Sequence, residues 1–202
     1  MQTEDRLEQE LRFVVEIDRL KGVLRQSYLA DGSRRENSAE HSWHVAMMAM
    51  VLAEHANEAV DRFRVIRMLM LHDLVEIDAG DTFAYDDAAL AGKAAKERAA
   101  ADRIFGLLPP DLGSELRALW DEFEIAETAE ARFANALDRL MPMLHNVLTE
   151  GRAWRAHGVT ADKVLSRNAV IGEGSEALWA YARRMIREAV GRGFLPAGPG
   201  SS

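Results

Sequence analysis

The spacing of apolar residues along this chain favours helices almost everywhere. In the segment LEQELRFVVEIDRLKGV, for example, Leu7, Leu11, Val14 and Ile17 recur every three or four positions and share one helical face. No segment sustains the alternation of apolar and polar residues that a half-buried strand shows. With 202 residues, 48% of them hydrophobic, the chain is long enough to bury a sizeable core. These features predict an all-α fold of about six or more helices.

Capping signals locate the predicted helices. Asn37, followed three positions later by Glu40, is a capping-box pattern, and it places His41 in the first turns of a long apolar helix. The same kinds of signal predict further helices over residues of about 60–80, 86–107, 111–123, 128–151 and 174–191. The helix predicted over about residues 60–80 ends near Gly80, a candidate left-handed cap residue. We expect one domain over residues 1–191 and a mobile tail, rich in Gly, Pro and Ser, over 192–202.

Charge and cysteine content narrow the function. The 33 acidic residues exceed the 25 basic ones, which gives a formal charge of −8, so the chain has no general attraction for long nucleic acids. The absence of cysteine excludes disulfides, thiolate metal sites and a Cys nucleophile. No apolar run reaches the roughly 18 residues of a membrane span. We therefore expect a soluble, cytoplasmic protein whose metal chemistry, if it has any, uses His and carboxylates.

The segment LMLHDLVEIDAGDTF, residues 69–83, places charged groups inside an apolar helical pattern. On a helix Glu76 lies over His72 and Asp73, because residues three or four apart share a face. Asp78 and Asp81 follow at the helix end and in the loop beyond it. Taken alone, the pair His72–Asp73 also fits a polar helix end with a hydrogen-bonded core histidine.

Two further residues favour a metal site. His41 lies in the preceding helix, and Asp138 lies in the apolar pattern ANALDRLMP, where an unpartnered carboxylate would be costly to bury. One divalent cation would account for His41, Asp138 and the pair His72–Asp73 together. Imidazole nitrogens with carboxylate oxygens suit Mn²⁺, Fe²⁺, Co²⁺, Ni²⁺ or Zn²⁺, and the ligand types do not choose among these ions.

The order H…HD…D, with GD at Gly80–Asp81, resembles the HD-domain metal-dependent phosphohydrolases, most closely the single-domain branch that contains the 5′-deoxyribonucleotidases. The resemblance covers about residues 10–150. It implies an all-α fold in which His41, His72, Asp73 and Asp138 hold the metal. It also implies catalytic roles for the acids Glu76 and Asp81, and contact between Arg25 and the substrate phosphate.

The chain departs from the deoxynucleotidase pattern at two places. Gln26 stands where those enzymes have a Trp beside the sugar, and TFAY follows Asp81 where they have a turn that contains Pro. We therefore predict that Gln26 and Thr82 contact the substrate along with Arg25. Hydrolysis of a phosphate ester is compatible with these differences, but selectivity for deoxyribose does not follow.

The resemblance implies a phosphomonoesterase, whose substrate would be a nucleoside 5′-monophosphate or a similar small phosphate ester. One of the two acids would deprotonate the attacking water and the other would protonate the leaving oxygen. Glu76 as the base and Asp81 as the acid is one assignment, and the reverse is the other. One alternative is a phosphodiesterase that acts on a cyclic or oligonucleotide substrate. Another is a non-catalytic, nucleotide-sensing protein that keeps the metal for stability.

The remaining signals concern metal number and assembly. No histidine occurs between Asp73 and Asp138, which argues against a binuclear centre, so one metal is expected. His44 is interpreted as a packed residue or an outer neighbour of the site, and His145 as a core residue. The apolar C-terminal helix with Trp179 and its neighbours favours a homodimer.

Overall fold

Helices dominate the computed structural model, which describes residues 5–85 and 92–198. The helices are α1 Arg6–Glu16, α2 Ser38–Leu52, α3 Arg62–Leu71, α4 Glu76–Ala79, α5 Lys93–Phe105, α6 Pro110–Ile125, α7 Ala129–Leu148, α8 Arg152–Ala156, α9 Ala161–Asn168, α10 Ile171–Gly174 and α11 Glu176–Gly191. Short 3₁₀ segments span Ile17–Gly22 and Ala53–His55. The predicted all-α class is confirmed.

A small antiparallel hairpin, which the sequence patterns did not predict, precedes α2. Its strands are β1 Leu24–Tyr28 and β2 Arg35–Asn37, with an irregularity in register along β1. Gly32 in the connecting turn has a φ of +69°, which is unfavourable for residues with a side chain. Strand β1 contacts α7, and β2 leads directly into α2.

The core forms two adjoining clusters. The larger joins α2, α3, α7 and α11 through residues such as Val45, Leu69, Leu137 and Ile186, all at most 1% exposed. The smaller joins α1, α5 and α6 through residues that include Ile104 and Trp120. Half-buried Leu71, at the end of α3, packs against both clusters. The end of α3 is therefore held from two sides.

The helix predicted over residues 60–80 is interrupted after Leu71, which corrects that prediction. Between α3 and α4 the backbone bonds tighten to three-residue steps, including Leu74 N–H to Leu71 O and Glu76 N–H to Asp73 O. The indole N–H of Trp120 also donates a hydrogen bond to the backbone carbonyl of His72, at 3.2 Å. The tightened turn begins at the predicted ligand pair His72–Asp73.

Other helix boundaries agree with the capping signals. Asn37 and Glu40 form the predicted capping box of α2, and the Thr128 side chain accepts from Ala131 N–H at the start of α7. Gly80 has a φ of +74°, but its ψ of 156° is extended and not left-handed helical. The helix predicted over residues 86–107 would begin in residues 86–91, which lie outside the described residues.

The C-terminal region contains helices and buried contacts that were not predicted. Helices α8 to α10 occupy residues 152–174, for which no helix was predicted. In the predicted mobile tail, Leu195 is 1% exposed and the Pro196 carbonyl accepts from Ala161 N–H at 2.9 Å. The mobility of the tail over residues 192–202 stays a prediction, and residues 199–202 lie outside the described part of the chain. The domain boundary at residue 191 stays a prediction. Among the described residues, none of the helices is both long and apolar enough to span a bilayer.

Candidate metal centre

Three helices bring the predicted ligands together. Helix α2 carries His41 in its first turn, the turn after α3 carries His72 and Asp73, and the middle of α7 carries Asp138. Helix α7 packs against both α2 and α3. The convergence therefore follows from helix packing and needs no local distortion beyond the turn after α3.

The four side chains meet in one cluster, in which His41, His72 and Asp73 are buried and the Asp138 side chain is 19% exposed. Nε2 of His41 lies 2.9 Å from Oδ1 of Asp138. Nε2 of His72 lies 3.1 Å from Oδ1 of Asp73 and 3.5 Å from Oδ1 of Asp138. One ligand atom each from His41, His72 and Asp73 also lies within 4.8 Å of the others. Two imidazole nitrogens and two carboxylate oxygens thus face a common point.

The hydrogen bonding of His72 fits a metal ligand. Its Nδ1 lies 2.8 Å from the carbonyl oxygen of Leu69, so Nδ1–H donates there and Nε2 keeps its lone pair. Nε2 is buried and has no hydrogen-bond partner among the described residues. A lone pair directed at the carboxylates of Asp73 and Asp138 is unfavourable unless a proton or a cation lies between them. The donor set therefore fits a divalent metal ion.

The electrostatics of the cluster also favour a bound positive charge. Burial alone would lower the pKa of His72, but Asp73 and Asp138 raise it to about 9. Burial would raise the pKa of Asp138, yet its close contacts with the imidazoles of His41 and His72 hold it well below its usual value. Without a metal, the site thus holds a proton on an imidazole, and a metal ion would displace that proton.

Arg25 on β1 lies against the same carboxylates. Its Nη1 donates to Asp73 Oδ2 at 2.6 Å. Nη1 also lies 4.0 Å from Glu76 Oε2, and Nη2 lies 4.0 Å from Asp138 Oδ1. Burial alone would lower the pKa of Arg25, but these acids outweigh it and raise the pKa above its ordinary value. Arg25 therefore stays charged, with its side chain only 12% exposed.

The two predicted catalytic acids occupy different surroundings. Glu76 is 5% exposed, and its carboxylate accepts from the Ser38 hydroxyl at 2.6 Å. Burial, with Asp73 adding to it, raises the pKa of Glu76 to about 8. Burial also raises the pKa of Asp81, against the attraction of Arg25 and a hydrogen bond from the Gln26 backbone. Both carboxyls therefore hold a proton more readily than exposed acids do.

A cavity of about 110 Å³ borders this cluster. Arg25, Gln26, Asp81, Thr82 and Asp138 all line it, so the three predicted substrate contacts face one space. The rest of the wall includes Phe83 and Tyr85 of the segment TFAY. It also includes Arg139, Trp154 and Asn168, which the sequence patterns did not single out. The cavity is smaller than the roughly 300 Å³ at the low end of ligand pockets, so a nucleotide would extend beyond it.

Glu36 is another buried residue of the site that sequence analysis missed. It lies on β2, is 1% exposed, and accepts from the Ser27 hydroxyl at 3.2 Å. Burial would raise the pKa of Glu36, but His41 and His145 hold it below the usual value. In the sequence, the segment SRRENS resembles a charged surface loop, and only the hairpin turns Glu36 inward.

Two further histidines, His145 and His44, lie near the site but were not predicted as metal ligands. His145 is 3% exposed, and its Nδ1 lies 3.7 Å from Glu36 Oε2. Burial lowers the pKa of His145, so its ring is neutral near pH 7. His44 is half-buried, with its ring centroid 6.0 Å from that of His145. Both residues lie on the side of Glu36, away from the predicted ligands His72 and Asp73.

Comparisons with known proteins give a consistent family. The model of a family described as HD domain matches residues 17–179. A human protein named 5′-deoxynucleotidase HDDC2 is 33% identical over 130 residues, which cover 64% of this chain and 62% of that protein. A 5′-deoxynucleotidase of Erwinia tasmaniensis is 29% identical over 165 residues, covering 77% of this chain and 83% of that one. The chain spans less than two thirds of the length of the human protein and its frog and mouse counterparts.

A solved structure shares both fold and sequence with this chain. The crystal structure of a predicted metal-dependent phosphohydrolase from Magnetospirillum magnetotacticum MS-1 is 59% identical, with a TM-score of 0.91. The match covers 96% of this chain and 97% of that one. An archaeal protein from Pyrococcus furiosus, 20% identical with a TM-score of 0.60, shares the fold alone.

Proposed function

Since the chain belongs to the HD domain family, we propose that it is a metal-dependent phosphohydrolase that removes phosphate from a nucleoside 5′-monophosphate. The observation that carries the proposal is the convergence of His41, His72 and Asp138 on one buried point beside a cavity. The names of the human and Erwinia relatives support a nucleotide substrate, and the name of the Magnetospirillum protein supports metal dependence.

In this proposal His41, His72, Asp73 and Asp138 hold one divalent metal ion. Each offers a nitrogen or oxygen atom to the shared point, and the lone pair of His72 is already directed there. When bound, such an ion supplies Lewis acidity toward the phosphoryl group and lowers the pKa of water. Which of Mn, Co, Fe, Ni or Zn serves is left to experiment.

Glu76 and Asp81 are proposed to move the protons. Glu76 takes a proton from the attacking water as the water oxygen bonds to phosphorus, and the Ser38 hydroxyl holds its carboxylate in place. Asp81, which lines the cavity, gives a proton to the ester oxygen as the bond from that oxygen to phosphorus breaks. The products are then a nucleoside and inorganic phosphate. The raised pKa of Asp81 suits an acid, whereas Glu76, whose pKa is raised to about 8, must lose its own proton before it can act as the base. That loss would be favoured by a bound cation beside Glu76.

Arg25 is proposed to bind the phosphate. Its guanidinium faces the cavity and carries a positive charge beside the carboxylate cluster. Charge that develops on the phosphoryl oxygens is stabilised best by donors that are fixed before reaction, and β1 fixes Arg25. Gln26 and Thr82 lie on the cavity wall, where the sugar would contact them. Phe83, Tyr85 and Trp154 offer aromatic faces for a base.

The proposal is tested by phosphate release from a panel of substrates. Purified protein, stripped of metal and then loaded with Mn²⁺ or Co²⁺, is assayed with ribonucleoside and deoxyribonucleoside 5′-monophosphates and with cyclic nucleotides. We expect release from the monophosphates alone. Cleavage of the diesters without the monoesters would replace the proposal by a phosphodiesterase. No release from any substrate by the metal-loaded protein would favour a sensing role.

A homodimer and a cytoplasmic location complete the proposal. Of the two aromatic residues of the C-terminal helix expected at an interface, Trp179 packs half-buried against the protein's own core, whereas Tyr181 is 43% exposed. A larger exposed apolar face lies on α2, where Trp43, Met47, Met50 and Val51 are 40–68% exposed. Such a face is typical of an interface between copies. Light scattering that gives a monomer mass at micromolar concentration would contradict the dimer, and cell fractionation tests the location.

A further inference from the structure

Glu36 lies directly behind His41, on the side away from Asp138. Its Oε2 is 3.5 Å from His41 Nδ1, whereas His41 Nε2 is 2.9 Å from Asp138. Glu36 is 1% exposed and His41 is fully buried, so water does not compete for either group. The imidazole of His41 is thus enclosed between a carboxylate at each ring nitrogen.

A comparison of the two histidines shows what Glu36 supplies. In His72, Nδ1–H donates to the Leu69 carbonyl, and this bond directs the Nε2 lone pair toward the carboxylates. His41 makes no such bond to a carbonyl in the described part of the chain, and its Nδ1 is buried there without a hydrogen-bond partner. A shift of a few tenths of an ångström would bring Nδ1 within ordinary hydrogen-bond distance of Glu36.

We propose that Glu36 is a positioning residue of the metal centre, accepting a hydrogen bond from Nδ1–H of His41 so that Nε2 presents its lone pair to the metal. The inference rests on the metal centre proposed above and concerns how that centre is held. A carboxylate behind a ligating histidine fixes the tautomer and the ring orientation, and it makes the ligand nitrogen more basic. Glu36 does not touch the substrate.

Local structure holds Glu36 in this position. The Ser27 hydroxyl on β1 donates to Oε2 at 3.2 Å, so the hairpin fixes the carboxylate from the opposite strand. Glu36 directly precedes Asn37, the N-cap of α2, and the capping box with Glu40 fixes the first turn that carries His41. The strand end and the helix start therefore place Glu36 and His41 together.

A different use of the same residues is a second cation site. Glu36, His44 and His145 each offer a ligand atom, and these atoms lie within 4.8 Å of one another. However, the oxygen of Glu36 that approaches His145 Nδ1 at 3.7 Å is the one that faces His41 and accepts from Ser27. Because that oxygen is already engaged, the geometry favours the positioning role, with one metal ion per chain.

Metal binding by the full chain distinguishes the positioning role of Glu36 from a second cation site. Metal-free wild type, Glu36→Gln and Glu36→Leu are titrated with Mn²⁺ by calorimetry, and His41→Ala serves as the reference for loss of a ligand. Glutamine keeps an acceptor without the charge, whereas leucine removes both. We expect affinity to fall about 10-fold for glutamine and nearer 100-fold for leucine, the range that outer neighbours of metal ligands show. Stoichiometry should stay at one.

Two readouts separate positioning from a merely structural role. The unfolding temperature of the metal-free protein should change little in Glu36→Gln, because the two side chains have nearly the same volume. The visible absorption of bound Co²⁺ should shift in the same variant, because the ligand field at His41 changes. Ser27→Ala, a milder change that keeps the carboxylate, should fall between wild type and Glu36→Gln in affinity.

Three outcomes would overturn the inference. Wild-type affinity in both Glu36 variants, with His41→Ala binding no metal, would refute the role of Glu36 and leave the metal centre intact. Binding of two ions by wild type, with Glu36→Gln losing one and keeping the other unchanged, would establish the second cation site instead. Full metal binding by His41→Ala would refute the metal centre itself, and the inference with it.

Discussion

Nε2 of His41 lies 2.9 Å from Oδ1 of Asp138, although 97 positions separate the two residues in the chain. Helices α2 and α7 bring them together inside the core, where an unpaired charge is costly. In the absence of a metal this contact is a hydrogen bond from Nε2–H of His41 to the carboxylate of Asp138, and a bound cation would take the place of that proton.

Replacing a proposed ligand should remove metal and activity together. For His72→Ala we expect Mn²⁺ affinity to fall by more than about 100-fold, the upper end of what changes outside the ligand set produce. Phosphate release should fall with the bound metal. Metal analysis of the purified variant beside its initial rate measures both. Normal metal content in His72→Ala would show that His72 is a core histidine and not a ligand.

Glu76→Gln should separate metal use from metal binding. The substitution keeps the side-chain volume and removes the basic oxygen, so metal content should stay at the wild-type level. Turnover should fall by about 10²–10⁴-fold, the usual contribution of general acid–base catalysis. If the variant loses its metal, Glu76 is a ligand. If the variant keeps full turnover, proton transfer belongs to Asp81.

Arg25 should contribute to phosphate binding and not to metal binding. In Arg25→Ala we expect the inhibition constant of inorganic phosphate to rise by about 10- to 100-fold, the value of a hydrogen bond to a charged group. Metal affinity should be unchanged or higher, because Arg25 no longer neutralises Asp73. Arg25→Lys is the matched control, and it should recover only part of the binding because a lysine lacks the planar fork. Unchanged inhibition by phosphate in Arg25→Ala would contradict the role.

The cap of α2 should contribute measurably to stability. Asn37→Ala removes the side-chain acceptor for Glu40 N–H and should cost about 1 kcal/mol of the free energy of unfolding. For a protein of this size that corresponds to a melting temperature lower by about 2–4 °C. Asn37→Gly should cost only a few tenths of a kcal/mol. Equal stability of wild type and Asn37→Ala by thermal denaturation would show that the capping box adds little.

The fold class was predictable from sequence because helical periodicity and capping residues act locally. Asn37 and Thr128 begin helices for reasons contained in a few neighbouring residues. The hairpin was not predictable in the same way, because β1 reads LRQSY, without alternation, and pairs across a turn. The break after Leu71 depends on a contact from Trp120, which lies 48 positions beyond His72.

The residues of the candidate site also divide into those that the local sequence indicates and those that depend on distant contacts. Histidines and acids within apolar helical patterns are unusual, so His72 and Asp138 could be selected from sequence alone. Glu36 could not, because it stands between charged and polar residues and only the hairpin buries it. Trp154 and Tyr85 line the cavity through long-range packing of the chain, which periodicity does not reveal.

The most direct test of the proposed function is a titration of metal-free protein with Mn²⁺ while phosphate release from a nucleoside 5′-monophosphate is followed. We predict no release in the presence of a chelator, then a rate that rises in proportion to added metal and levels off at one ion per chain. Binding of that ion, measured on the same samples, should rise in parallel with the rate. Release that persists in the chelator, or a fully loaded protein that hydrolyses no nucleotide, would contradict the account.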